Sequence, residues 1–315
     1  MFTFTWWLIA HFFRFTLGAP AASLNIQAAQ LLLWIVFMTM QLIIQHPDVT
    51  KLSLSNLANI IRLPNTFSGS ILRIDVPETF RLPENIAEEL TQMRADFAVL
   101  KPQKFSDLKL IVSDMDSTLI NIECIDEIAA GAGLKDKVSA ITERAMRGEL
   151  DFEASLRSRV ALLEGLPESH LTRVYQEVLQ LNAGAEYLLQ QCHEHQVRFV
   201  LVSGGFTFFT NQLKQRLNFA HAYANELEII DGKLTGKVLG NVVDAQTKKN
   251  VLLQHQQELN AQKHQIVAIG DGANDIPMLQ AAGLGIAYHA KPKTQQAADV
   301  AINFNGLEAL RGWFI

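Results

Sequence analysis

The sequence predicts an α/β protein: a parallel-sheet core interrupted by a helical stretch, with a smaller α/β module before it. Three observations predict this. The apolar runs Leu108–Val112, Val197–Val202 and Gln265–Ile269 lack the alternation of a half-exposed strand, so each reads as a strand buried on both faces. Each run ends in small and polar residues, and in a parallel sheet ligands gather beyond the carboxyl ends of strands. Between the first two runs, residues 119–195 are mostly helical in their spacing.

Composition sets the bounds. A chain of 315 residues can bury a large core and hold two or three modules. Its 49% apolar and 19% charged residues are ordinary for a globular protein. The net charge of −5 argues against a nucleic-acid partner, which calls for a basic footprint. Cys124 and Cys192 form no CxxC or His–Cys group. That fits a reducing compartment and suggests neither a disulfide framework nor a zinc site.

In chain order, residues 1–39 are apolar and carry almost no charge beyond Arg14. They admit three readings: a marginal membrane span over 28–44, a signal-like segment over 2–17 without a basic start, or a stretch upstream of a true start at Met40. The third is the expectation adopted here, because a cytosolic composition follows. With it come a cytoplasmic location and no membrane partner.

Residues 40–100 read as a small α/β module. Its strands are Leu42–Gln45, Ser70–Val76 and Asp96–Leu100, and its helices Ser53–Ile61 and Asn85–Arg94. It carries no chemical constellation, which suits docking or dimerisation. Lys101–Lys104 is the expected linker to residues 101–315.

The helical stretch divides into Ile125–Ala132, Lys137–Met146, Phe152–Leu163 with Asp151 as cap, Glu168–Leu181 and Ala185–His195. Placed directly after a strand that ends in carboxylates, it reads as a lid, a cap of about residues 120–182 that excludes water. Beyond it, Leu227–Ile230 and Lys233–Val238 flank Asp231-Gly232, a pair suited to a two-residue hairpin turn. Asn250–Leu259 is a helix, and Leu284–Ala287 and Val300–Ile302 are short final strands.

The chemistry-bearing residues sit at the strand ends. Asp114 and Asp116 are one residue apart, so both side chains can face one crevice. Two adjacent carboxylates call for a positive centre, either a hard metal ion or a substrate phosphorus. Asp114 then reads as a nucleophile and Asp116 as its acid/base partner. Alone, Asp-x-Asp-Ser-Thr reads equally well as a helix cap. Asp271 would join the pair around a divalent cation, and all-oxygen ligation suits Mg²⁺. Ser203 offers a hydroxyl, and Gly204 and Gly205 let backbone N–H groups approach an anion. Lys248 or Lys249 can supply positive charge to phosphate oxygens. Each signal has a bland alternative as a turn, a cap or a solvated lysine; their joint order favours a site.

Asp114–Thr118, Ser203-Gly204, Lys248 and Gly270–Asp275 resemble the four motifs of the haloacid dehalogenase superfamily of phosphohydrolases. With Glu123–Glu127, Ser155–Val160 and Asp244–Lys248 added, residues 105–315 resemble its phosphoserine phosphatase branch. The resemblance implies a Rossmann-like core with a helical cap, Mg²⁺ dependence and O-phosphoserine as substrate; phosphothreonine and homoserine phosphate are alternatives. It places the lysine at 248. It implies that Glu123 binds the substrate ammonium and Arg159 its carboxylate, with Phe152 and Met146 at apolar cap positions. Asn274 would complete the phosphate shell, with Asp275 behind the metal ligands Asp114, Asp116 and Asp271. Residues 40–100 resemble an ACT-like module, and a homodimer is a family-level expectation. A catalytically silent serine sensor is the reading from another class.

Overall fold

A computed structural model of the chain describes residues 40–49, 65–146 and 149–315. The expectations for residues 1–39 and for a helix over Ser53–Ile61 lie outside the described residues. Two sheets organise the rest. The first is antiparallel, in the order β2-β3-β1-β4, from β1 (Met40–Gln45), β2 (Asn65–Ser68), β3 (Ile71–Val76) and β4 (Asp96–Leu100). The alternation in β3 decides its faces. Leu72, Ile74 and Val76 are fully buried against Leu42, Ile44 and helix α1 (Glu84–Gln92), while Ile71, Arg73 and Asp75 are partly exposed. β2 was not expected; its polar Asn-Thr-Phe-Ser has no apolar alternation, and among the described residues it pairs with β3 alone.

The second sheet has seven strands in the order β11-β10-β9-β5-β6-β7-β8. They are β5 (Leu110–Ser113), β6 (Arg198–Phe206), β7 (His221–Ile230), β8 (Lys233–Leu239), β9 (Ile266–Gly270), β10 (Leu284–Tyr288) and β11 (Val300–Ile302). All neighbours pair in parallel except β7 and β8, a hairpin whose turn residues Asp231 and Gly232 both have positive φ, as expected from the dipeptide. β5 lies between β6 and β9 and every one of its residues is buried, which explains its unbroken apolar run.

Between β5 and β6 come α2 (Cys124–Gly131), α3 (Lys135–Met146), α4 (Phe152–Ala161) and α5 (Glu168–Arg173), then α6 (Ala185–Glu194). The expected helix Glu168–Leu181 is corrected: it stops at Arg173 and passes through a π turn, Val174–Val178. The chain must come back to the β5 loop, where Leu181 bridges Ile120 and Asn182 Nδ2 donates to the Thr118 and Ile120 carbonyls. After β6 follow α7 (Thr207–Leu217), α8 (Ala245–Glu258), α9 (Ile276–Ala281), α10 (Pro292–Ala297) and α11 (Glu308–Gly312). α8 starts five residues before the expected Asn250, because Asp244 accepts from the Thr247 N–H at 2.7 Å and caps it there.

The first sheet rests on residues 303–314 of the second unit. Asp96, 2% exposed, accepts from the backbone N–H groups of Asn303 (2.7 Å) and Asn305 (3.0 Å) and from Asn305 Nδ2 (2.7 Å). Gln45 Nε2 donates to the Ala309 carbonyl, and Arg73 Nη2 to those of Gly312 and Phe314. These bonds occupy carbonyls that a helix end leaves free. Among the described residues no helix is long and apolar enough to cross a membrane. Both cysteines are buried and free.

Candidate active site

β9, β5 and β6 are neighbours, so their carboxyl ends bring three loops from distant sequence to one place. Asp114 leaves β5 with its N–H donated to the Ile269 carbonyl on β9, and its Oδ1 accepts from the Met115 N–H at 2.7 Å. Ser117 then takes a left-handed φ of 55°, which costs free energy in a non-glycine residue. The Met115 carbonyl accepts from the amides of Thr118, Leu119 and Ile120. That turn carries Asp116 to the cavity and sets Ser117 Oγ to donate to Glu123 Oε1 at 2.7 Å.

β6 departs from expectation. Instead of ending at Ser203, it runs on through Gly204 and Gly205 to Phe206, with a register shift against β7 after Val202. The absence of side chains permits this: a Cβ on Gly205 would stand 2.8 Å from Met115 Cε and 3.0 Å from Asp116 Oδ2. Ser203 Oγ accepts from the Gly205 N–H, and buried Asn225 holds the Gly204 carbonyl at 2.8 Å.

Lys248 lies under the site, fully buried. Its Nζ is 2.8 Å from Asp114 Oδ1 and 2.7 Å from Asp275 Oδ1. Asp275 Oδ2 accepts from the Gly272 N–H, and Thr118 Oγ1 donates to Asp271 Oδ1 at 3.3 Å. Carboxylate oxygens of Asp114, Asp271 and Asp275 all lie within 4.8 Å of one another, an all-oxygen set that can hold a hard divalent cation. Asp116, expected among the ligands, is not in that group of side chains. It faces Glu123 and Cys124 instead, and its Oδ1 is buried without a hydrogen-bond partner among the described residues. Asp275, expected behind the ligands, belongs to the group.

Charge follows from this crowding. Burial, then the charge of Glu123, pushes the Asp116 carboxyl up to about 7. Burial and Asp275 push Asp271 up to about 6. Burial, with Asp275 adding to it, holds Asp114 well above the carboxylate range against the opposing pull of Lys248. Burial pulls the Lys248 ammonium down, but Asp114 and Asp275 more than offset it, and it stays above the ordinary lysine range. Glu123 keeps a face open to the cavity, yet burial of its carboxyl raises it too, against the Ser117 hydrogen bond.

These groups border one cavity of about 760 Å³. Asp114, Asp116, Ser203, Gly204, Asp271 and Asn274 form its floor at the sheet edge, and Glu123, Phe152 and Arg159 its cap side. Lys248 reaches it only through Asp114. The side chain of Met146 lies outside the description. Sequence reasoning missed Asn225, the anchor of the Gly204 strand, and it had Thr118 in the first motif without foreseeing its bond to Asp271. It also missed Lys291, Lys293 and Thr294, which line the cavity from the end of the loop after β10 and the first turn of α10. The Ala-Lys-Pro-Lys run at 290–293 was a usable signal for that loop, since it follows a strand end of the same sheet.

A strand-end carboxylate, a second carboxyl beside it and an all-oxygen set that can hold a cation, beneath a helical cap, are what a metal-assisted hydrolase needs. The family profile of haloacid dehalogenase-like hydrolases matches residues 111–280, and the chain belongs to that family. Curated relatives of the chain include phosphoserine phosphatases. That of Polaromonas sp. is 50% identical over 212 residues, covering 66% of this chain and 90% of the relative. The unliganded crystal structure of a probable phosphoserine phosphatase from Vibrio cholerae superposes with a TM-score of 0.76 at 39% identity, over 87% of this chain and 85% of that one. A substrate-bound phosphoserine phosphatase matches with a TM-score of 0.62 at 39% identity, over 66% of this chain and 99% of that one.

Proposed function

We propose that this chain hydrolyses O-phosphoserine to serine and orthophosphate, the closing step of serine biosynthesis. The observation that carries the reading is one cavity whose floor presents Asp114, Asp116 and Asp271 and whose cap side presents Glu123 and Arg159. The floor suits a phosphate and the cap an amino acid's ammonium and carboxylate.

Asp114 attacks phosphorus in its ionised form, which the Lys248 ammonium favours; the Asp114–phosphorus bond forms as the bond to the serine oxygen breaks. Asp116, protonated up to about pH 7, gives its proton to the leaving alkoxide. A water then attacks the aspartyl-phosphate, its proton passes to Asp116, and orthophosphate leaves with Asp114 restored. The Ser203 hydroxyl and the Gly204 N–H hold phosphate oxygens, and Asn274 stands beside them. Lys248 keeps Asp114 oriented and offsets the repulsion between a carboxylate and a phosphate dianion. Asp114 and Asp271, with Asp275, would hold Mg²⁺, which supplies further charge neutralisation to the phosphate oxygens. A cytosolic homodimer accompanies this reading, to be checked by fractionation and light scattering.

The test is a panel of phosphomonoesters with and without Mg²⁺. O-phosphoserine should be preferred over phosphothreonine, homoserine phosphate and an aryl phosphate, and chelation should stop turnover. Glu123→Ala and Arg159→Ala should each lower kcat/KM for O-phosphoserine by about 100-fold and leave the aryl phosphate within a few-fold. Equal losses on both substrates would refute amino-acid recognition.

A further inference from the structure

A second set of cations borders the same cavity and has no part in the chemistry above. Lys291 and Lys293 stand where the chain leaves β10 and opens α10, on the sheet side of the cavity, away from the cap. Both are exposed, and among the described residues neither ammonium has an ion-pair or hydrogen-bond partner. Their surroundings make this notable. The cavity is lined by five carboxylates, those of Asp114, Asp116, Glu123, Asp126 and Asp271, against Arg159 and these two lysines. The ionised members of that wall repel a phosphate ester, whose second ionisation near pH 6 leaves it close to a dianion at neutral pH. A low-dielectric cleft focuses the field of charges at its mouth and raises the local concentration of an oppositely charged ligand.

We propose that Lys291 and Lys293 form an electrostatic entrance that draws dianionic phosphomonoesters past the acidic wall. The inference rests on the phosphomonoester part of the reading above and not on its amino-acid part. Exposed ammonium groups at the mouth attract the bound substrate and the transition state alike. They therefore act on KM and leave kcat alone.

The experiment compares the parent with Lys291→Gln/Lys293→Gln and Lys291→Arg/Lys293→Arg in the Mg²⁺-loaded full chain. Substrates are O-phosphoserine and p-nitrophenyl phosphate, at low ionic strength and at about 0.5 M salt, where the screening length is only a few ångströms. At low ionic strength the glutamine pair should lose about tenfold in kcat/KM on both substrates, almost all of it in KM, with kcat within twofold. The loss should shrink severalfold at high salt, and the arginine pair should match the parent. Inorganic phosphate titrated into the same proteins gives a readout without turnover: its Kd should rise in the glutamine pair and converge with the parent's in salt. An unchanged kcat/KM and phosphate Kd at low salt overturns the proposal. So does a loss that salt does not diminish, or one that the arginine pair shares, since each marks a steric role. If the parent splits the aryl ester but not O-phosphoserine, amino-acid recognition fails while the entrance is still measured on the aryl ester and on phosphate.

Discussion

Lys248 shows how much one side chain carries. A fully buried ammonium between two carboxylates persists only because both partners are within 2.8 Å. Lys248→Met leaves Asp114 and Asp275 facing each other without a cation, and breaking a buried pair in this way costs about 3–5 kcal/mol. A urea titration should show that loss, and phosphate release should fall below detection. Asp114→Ala should abolish turnover while leaving substrate binding measurable. Asp116 makes a prediction about pH. Its folded value is about 7 against an ordinary 3.8, so between those values the folded state binds the extra proton. Its contribution to stability is therefore greatest at low pH, declines as pH rises through that window, and stays low above it. With chelator present, Asp116→Asn should melt higher than the parent at pH 8 and converge with it near pH 4. A Tm difference that is the same at both pH values would contradict the shift. The positions of these residues at strand ends were legible. Their neighbours were not: the Asp275 carboxylate, and not that of Asp116, lies beside those of Asp114 and Asp271. Which carboxylate meets which depends on the left-handed Ser117 turn and on Lys248, and neither is encoded in local spacing.

At the scale of elements, the long and strongly patterned segments were legible. β5 and β9 were placed within two residues because a strand buried on both faces has no polar register to mislead. β3 fell within one residue of the expected Ser70–Val76 because one side packs on α1. β6 and α8 were misjudged for opposite reasons. Gly204-Gly205 looks like a stop signal in sequence, but here it lets a strand pass against Met115 and Asp116. Gly205→Ala should reduce kcat by tenfold or more, since small misplacements of reacting groups are expensive, with a circular dichroism spectrum like the parent's. α8 begins early because one aspartate caps it, and its first turn delivers Lys248. Asp244→Ala should cost about 1 kcal/mol in urea unfolding, and it should lower activity through the lysine three residues into the helix.

At the scale of the molecule, the contact between the two sheets was not legible at all. Asp96, Gln45 and Arg73 are unremarkable polar residues in their strands, and their partners lie more than 200 residues away. Only the fold brings them together. The contact also runs toward the cavity: Gln295 Nε2 donates both to Asn303 Oδ1, in the loop that Asp96 grips, and to the Ala290 carbonyl, next to Lys291. Asp96→Ala should speed amide hydrogen exchange across 289–305 while β5 and β9 keep their protection, and unchanged exchange there would break that link.

The grip of Asp96 on residues 303–305 bears on how the chain can be shortened. Most of the Polaromonas relative is matched by two thirds of this chain, which invites trimming the first hundred residues to reach a minimal catalyst. Here that cut would unroof the amides and carbonyls between 303 and 314 that Asp96, Gln45 and Arg73 hold. A trimmed version would need new polar surface along that strip before it stayed in solution.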